Sequence, residues 1–329
     1  MHTPKFILLI GICLVALIAD IALGSVIIPI KEIYHALFVD NESIFFQIIV
    51  NHRLPKAITA ILVGASLSVA GLLMQTLFRN PLAGPDVLGI NSGASLGVAL
   101  LTLGSSTLPF LAGNGYAQVI AATFGAAFIL ALVLLTSTRV KNTVSLLIVG
   151  VMFGYFTSSI VSILQNLSNP DTLKLFITWT FGSLSAVGWN QLQVLAPILI
   201  LAIIGGLIIV KPLNAFLLGG KYAKGLGVSV NRTRIHIILI TSILAGTATA
   251  FTGPIAFIGI TIPHIARGIF QTSNHKIIMP ASVLCGSTIL LICDIISQMP
   301  GFNTILPINA VTALFGAPII LWILLKNKA

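Results

Sequence analysis

Ten apolar runs divide the chain, at about 6–28, 57–77, 88–104, 117–136, 143–166, 190–210, 235–252, 257–268, 277–298 and 308–325, with most of the charged residues in the gaps. A helix that spans a bilayer needs about 20 apolar residues. The pattern predicts an all-α polytopic membrane protein with about ten transmembrane helices. The run from Phe6 to Ile28 follows Lys5 but is too long for a signal-peptide core and lacks a small-residue cleavage site, so it is expected to stay as a span. Residues 29–52 mix apolar positions with Lys31, Glu32, Asp40 and Glu42, which predicts an exposed loop with a short surface helix. Between the fifth and sixth runs, Pro170, Asp171, Lys174, Trp179 and Trp189 predict a helix lying at the membrane surface, where Trp concentrates.

Composition narrows the class further. The chain is 57% hydrophobic and 7% charged, against about 25% charged for soluble domains. Too few polar residues remain to cover a soluble fold, and too many apolar ones for a disordered chain. The net charge of +10 could suit nucleic acid, but the basic residues sit in short interruptions without aromatic interleaving. Such placement marks topology instead. With ten crossings and the N terminus inside, Lys5, Arg79, Arg139, Lys141, Lys211, Lys221, Lys224, Arg232, Arg234, Arg267, Lys276, Lys326 and Lys328 are cytoplasmic, and Lys31, Arg53, Lys56 and Lys174 are outside. Thirteen against four follows the positive-inside rule and puts both termini in the cytoplasm. Cys13, Cys285 and Cys293 lie in apolar runs without a CxxC pair, so no disulfide or metal site is expected.

Two stretches break the pattern. Only 32 residues separate Arg234 from Arg267, whereas two full crossings need about 40. Within them stand Gly253-Pro254 and Pro263. The second stretch, Asn80-Pro81-Leu82-Ala83-Gly84-Pro85, leads to Gly89 and Gly93. Broken backbone at membrane depth persists only where protein or a water-filled path covers it. Two interrupted segments in different halves hint at an internal repeat.

The order of motifs is also telling. Arg53-Leu54-Pro55-Lys56, the run from Gly64 to Gln75, and Arg79-Asn80-Pro81-Leu82-Ala83 followed by Pro85 and Leu88-Gly89 resemble the opening of the iron–siderophore, haem and cobalamin permeases of ABC importers, the FecCD-type family. Gly253-Pro254-Ile255-Ala256-Phe257-Ile258-Gly259, then Pro263-His264-Ile265-Ala266-Arg267, resembles that family's second signature, and Leu306-Pro307 with Gly316-Ala317-Pro318 its ending. The resemblance covers residue 50 to the C terminus. It implies a type II ABC importer permease fold in one transmembrane domain over 1–329, with a cytoplasmic coupling loop at about 211–234. It further implies a multi-pass protein of the bacterial cytoplasmic (inner) membrane, paired with a second copy of itself, two ATPase subunits and a periplasmic or lipid-anchored substrate-binding protein. No catalytic residue and no cofactor are expected in this chain, since ATP and Mg belong to the ATPase. Gly219-Gly220-Lys221-Tyr222 is no phosphate loop, because Ala215 and Tyr222 replace the required Gly and Ser/Thr.

Leu218, Gly219, Lys221, Ala223, Leu226 and Gly227 resemble the family's coupling helix, which seats in a cleft of the ATPase, although Gly220 and Lys221 stand where acidic residues are usual. Ala223 is expected to face that cleft. Arg53 and Lys56, three apart, resemble the basic residues that pair with carboxylates of the binding protein at the outer mouth, while a third such position holds Gln298. Asn80, Pro81, Pro85, Gly89, Gly253, Pro254, Gly259, Pro263, His264 and Arg267 mark the broken helices and the path, with His264 and Arg267 expected to cap carbonyls. Asp20 and Asp294 are the acids well inside apolar runs and carry the alternative, an ion-coupled secondary transporter. Their places near outer helix ends point instead to interhelical bonding.

Overall fold

Uninterrupted Leu, Ile, Ala and Val leave the backbone nothing to bond with but itself, and the chain answers with helices. The computed structural model describes residues 2–24, 26–38, 43–104, 114–140, 142–299 and 305–326. Asp40, Glu42, Lys141 and Lys328 lie outside the described residues. The order is α1 (Thr3–Ala22), α2 (Ile30–Phe38), α3 (Ile44–Ile48), a π-turn (Ile49–Arg53), α4 (Leu54–Phe78), a 3-10 turn (Pro85–Leu88) and α5 (Ile90–Thr102). There follow α6 (Gly115–Arg139), α7 (Thr143–Leu167), α8 (Pro170–Thr180), α9 (Trp189–Ile208), α10 (Val210–Leu218) and α11 (Gly220–Gly225). The last four are α12 (Val230–Thr252), α13 (Ile258–Phe270), α14 (His275–Ser297) and α15 (Ile308–Lys326). Asparagine side chains cap four of these helices: Asn114, Asn142, Asn169 and Asn274 each accept from a backbone N–H of the first turn.

Seven helices are long and apolar enough to cross a membrane, and three shorter apolar ones, at Ile90–Thr102, Ile258–Phe270 and Ile308–Trp322, bring the described total to ten. The expected loop at 29–52 is corrected in part. Residues 44–53 run straight into α4, so that one helix extends over Ile44–Phe78. Proline disrupts the interior of a helix, yet Pro55 lies within this one. It is tolerated just past the π-turn, where the regular i→i−4 ladder is already interrupted. The π-turn leaves the Val50 carbonyl open to a side chain, and the Trp189 indole N–H donates to it at 2.7 Å.

α4 is the centre of the bundle and is buried along most of its length, with α12 and α14 next. α1, α6, α7 and α9 turn most of their residues outward, as lipid-facing helices do. Glycine lets α4 come close to its neighbours. A Cβ on Gly71 would stand 1.7 Å from the Gly259 carbonyl oxygen of α13, and one on Gly64 would stand 2.3 Å from the Gly286 oxygen of α14. Gly71→Val is therefore expected to cost about 3 kcal/mol or more of stability, since the obstacle is backbone and cannot rotate away. Gly11→Val, with nothing within 4 Å, is the control. Equal thermal midpoints for the two variants in detergent would show that α4 and α13 are not so closely packed.

Candidate translocation path and docking surfaces

Side-chain contacts fix which helix ends share a side. Lys5 donates to the Ile269 carbonyl at 2.6 Å, Arg79 to that of Phe216 at 3.0 Å, and His275 contacts Thr76 at 2.8 Å. These define one end of the bundle, here the Arg79 end. Trp189, Arg53, Lys56 and Gln298 meet at the other, the Arg53 end.

The two interrupted segments meet inside the bundle. After α4, Arg79 takes the left-handed conformation (φ 49°) and the chain turns through Asn80, whose side chain accepts from the Leu82 N–H at 2.9 Å. Gly89 (φ 73°) then starts α5, which runs back toward the Arg53 end. After α12, Gly253 (φ 73°) and Phe257 (φ 66°) turn the chain into α13, which runs toward the Arg79 end. Both half-helices have 13 residues. The freed backbone finds partners: the Ala256 N–H donates to Asn309 Oδ1 at 3.0 Å and the Ser183 N–H to the Thr252 oxygen at 2.7 Å. Pro85 lies against Gly259, where a Cβ would stand 2.7 Å from the ring. His264 Nε2 lies 2.8 Å from the Pro81 carbonyl oxygen, so that nitrogen carries the proton and donates. Arg267 donates to Gln75 Oε1 at 2.6 Å, and Gln75 in turn donates to the Ile260 oxygen at 3.0 Å. Pro254 lies with Gly182 at the Arg53 end, away from this junction, and Pro263 is buried within α13. A second polar thread, Thr249 to Asn91 to Asp86, lies beside the start of α5.

Arg53 and Lys56 are not rim charges, and that expectation is corrected. They are 7% and 4% exposed. The Arg53 guanidinium donates to the Ile21 oxygen at 2.5 Å and to the Val26 oxygen, closing the end of α1. Lys56 Nζ lies 2.5 Å from Asp294 Oδ2, 3.5 Å from Asp20 Oδ1 and 3.1 Å from Gln298 Oε1. Asp20 and Asp294 thus bind α1 and α14 to α4 through one ammonium. Sequence spacing placed the two cations on one face but could not say that the face turned inward. Above them a depression of about 500 Å³ is lined by Asn51, His52, Ser185 and Gln298 among others.

Within the connection expected at 211–234 the chain forms α10, α11 and the first turn of α12. Ala223 does not face outward, which corrects its expected role. It is fully buried and holds the turn back toward Val228, whose N–H donates to its oxygen at 3.0 Å. Leu218, Tyr222 and Leu226 are 63%, 73% and 64% exposed. With Lys221 and Gly225 they line a shallow depression of about 470 Å³. Tyr222 was overlooked, although its place four residues from both Leu218 and Leu226 is the signal that finds it. Gly219 (φ 113°) and Gly227 (φ 81°) bound the segment, and a Cβ on Gly219 would stand 2.6 Å from Arg79.

Comparison with known proteins bears on the family and the fold. The pattern of the FecCD transport family matches residues 12–326. The hemin transport system permease protein HmuU of Yersinia pestis is 32% identical over 98% of this chain and 96% of its own length. The vitamin B12 import system permease protein BtuC of Klebsiella pneumoniae is 34% identical over 96% of this chain and 91% of its own. A metal-chelate type ABC transporter solved in an inward-facing conformation superposes with a TM-score of 0.85 at 26% identity, covering 99% of this chain and 100% of that one. These relatives support an ABC permease over an ion-coupled transporter. The chain belongs to the FecCD transport family, as a multi-pass permease subunit of an ABC importer, a kind of transporter that works with ATPase and substrate-binding partners.

Proposed function

We propose that two copies of this chain form the path by which a bacterial ABC importer carries a ferric siderophore, haem or a cobalamin across the cytoplasmic membrane. The Arg79 end faces the cytoplasm, an orientation its basic residues support, and with it both termini. The whole chain acts as one permease domain. The observation that carries the reading is the apolar patch of Leu218, Tyr222 and Leu226, which the protein leaves uncovered at that end. It suits an ATPase cleft, and ATP with Mg stays on that partner. The binding protein docks at the Arg53 end, over the depression flanked by Asn51 and His52. HmuU and BtuC carry different cargoes in name at 32% and 34% identity, so selectivity is assigned to the binding protein.

Proteoliposomes holding this chain, its ATPase and its binding protein should take up one of the three cargoes when ATP is supplied. Reporters should place 217–227 in the cytoplasm and 168–176 outside. Uptake driven by an ion gradient without ATP, or both loops on one side, would overturn the proposal.

A further inference from the structure

The last turn of α4 makes three different side-chain connections within five residues. Gln75 reaches α13, Thr76 reaches α14, and Arg79 reaches α10. The middle one continues. His275, 1% exposed, holds Thr76 with one ring nitrogen and Asn214 of α10 with the other. Asn214 Oδ1 accepts from the His275 backbone N–H at 2.9 Å and lies 2.8 Å from Nδ1. An amide oxygen can only accept, so Nδ1 carries the ring proton. Nε2 of the neutral ring then presents a lone pair to Thr76 Oγ1, 2.8 Å away. The same hydroxyl lies 2.8 Å from the Leu72 oxygen. It has one proton and two acceptors, so it satisfies the imidazole or the helix backbone, not both at once. Asn214 is fixed on its far side by its amide donating to Asn274 Oδ1 at 2.9 Å.

We infer that Asn214, His275 and Thr76 form a relay that carries movement of the α10–α11 segment into α4, and through Gln75, Ile260 and Arg267 into the broken helix α13. The inference rests on the proposal that this segment docks an ATPase. Packing alone would give an elastic coupling. The Thr76 hydroxyl instead offers two discrete arrangements, which is what transmission between distant sites needs. Displacing Asn214 removes the oxygen that holds the Nδ1 proton in place, and thereby the arrangement that keeps Nε2 as an acceptor for Thr76. The three are positioning residues. None need touch cargo or nucleotide. The route ends where the broken segment carries α8: a Cβ on Gly253 would stand 2.5 Å from the Trp179 carbonyl oxygen, so a shift of the break is felt along α8.

The test uses the complete permease–ATPase complex in lipid nanodiscs, with a spin label at Lys174→Cys in α8 and the label-to-label distance between the two copies as readout. Mg·ATP with vanadate is added, and vanadate-trapped ADP is measured beside it. In otherwise unaltered protein the distance distribution should shift. Thr76→Val keeps the shape and removes the hydroxyl. It should bind the ATPase and trap ADP as before, while the shifted fraction falls about tenfold, within the usual range of coupling between sites. Thr76→Ser should restore the shift, and Asn214→Ala, at the other end of the relay, should lose it. A full shift in Thr76→Val, a Ser variant as defective as Val, or a normal Asn214→Ala would each overturn the relay. An ATPase that fails to associate with unaltered permease would instead remove the functional reading beneath it.

Discussion

Lys56→Met alone is expected to destabilise the folded chain by about 3–5 kcal/mol, the range for removing one partner of a buried ion pair. The ammonium lies between Asp294 at 2.5 Å and Asp20 at 3.5 Å. Neither Asp20 oxygen has a hydrogen-bond donor among the described residues, and Asp20 is fully buried. Without the lysine, two carboxylates would share an apolar site with no neighbouring ammonium to offset them. The triple variant Lys56→Met, Asp20→Asn, Asp294→Asn removes all three charges and should recover most of the loss. Thermal unfolding in detergent reads both. A single variant as stable as the parent would mean that the carboxylates are not charged in the native protein, and the cluster would then hold the helices by packing.

The second large effect belongs to the opposite end. Leu218→Asp with Tyr222→Asp should release the ATPase from the purified complex while the permease remains folded. An anchor side chain seated in a cleft contributes about 2 kcal/mol or more, so replacing both Leu218 and Tyr222 weakens association roughly a thousandfold at about 4 kcal/mol. Ala223→Asp should behave differently. Ala223 is fully buried within its own chain, so a carboxylate there should unfold the turn rather than merely unseat a partner. Co-purification scores the first variant, and monodispersity of the permease alone scores the second. An ATPase retained by the Leu218, Tyr222 variant would mean that docking lies elsewhere.

The contrast between those two variants shows what a sequence can and cannot say. The spans were legible because hydropathy is a local property: 57–77 became Leu54–Phe78 and 257–268 became Ile258–Phe270. The broken segments were legible for the same reason, since Gly and Pro act on their own backbone. Facing is not local. Lys56 and Asp294 are 238 residues apart, and no spacing within one helix tells which side the other will cover. Ala223 and Tyr222 are adjacent and point opposite ways for a like reason. Thr76, Asn214 and His275 carried no motif at all. Their roles exist only once three helices have met.

The π-turn at Ile49–Arg53 sets one more boundary. A turn with an extra residue in an α-helix is a dislocation: the residues beyond it are advanced by one place and rotated by about 100° relative to an unbroken rod. The helix over Ile44–Phe78 is thus two rods in different register. The longer one is locked by the core along nearly its whole length. The shorter one takes its azimuth from the defect, so Ile44, Phe45 and Phe46 point about 100° away from where an unbroken helix would aim them, and it is in that direction that Phe45 and Phe46 meet the core.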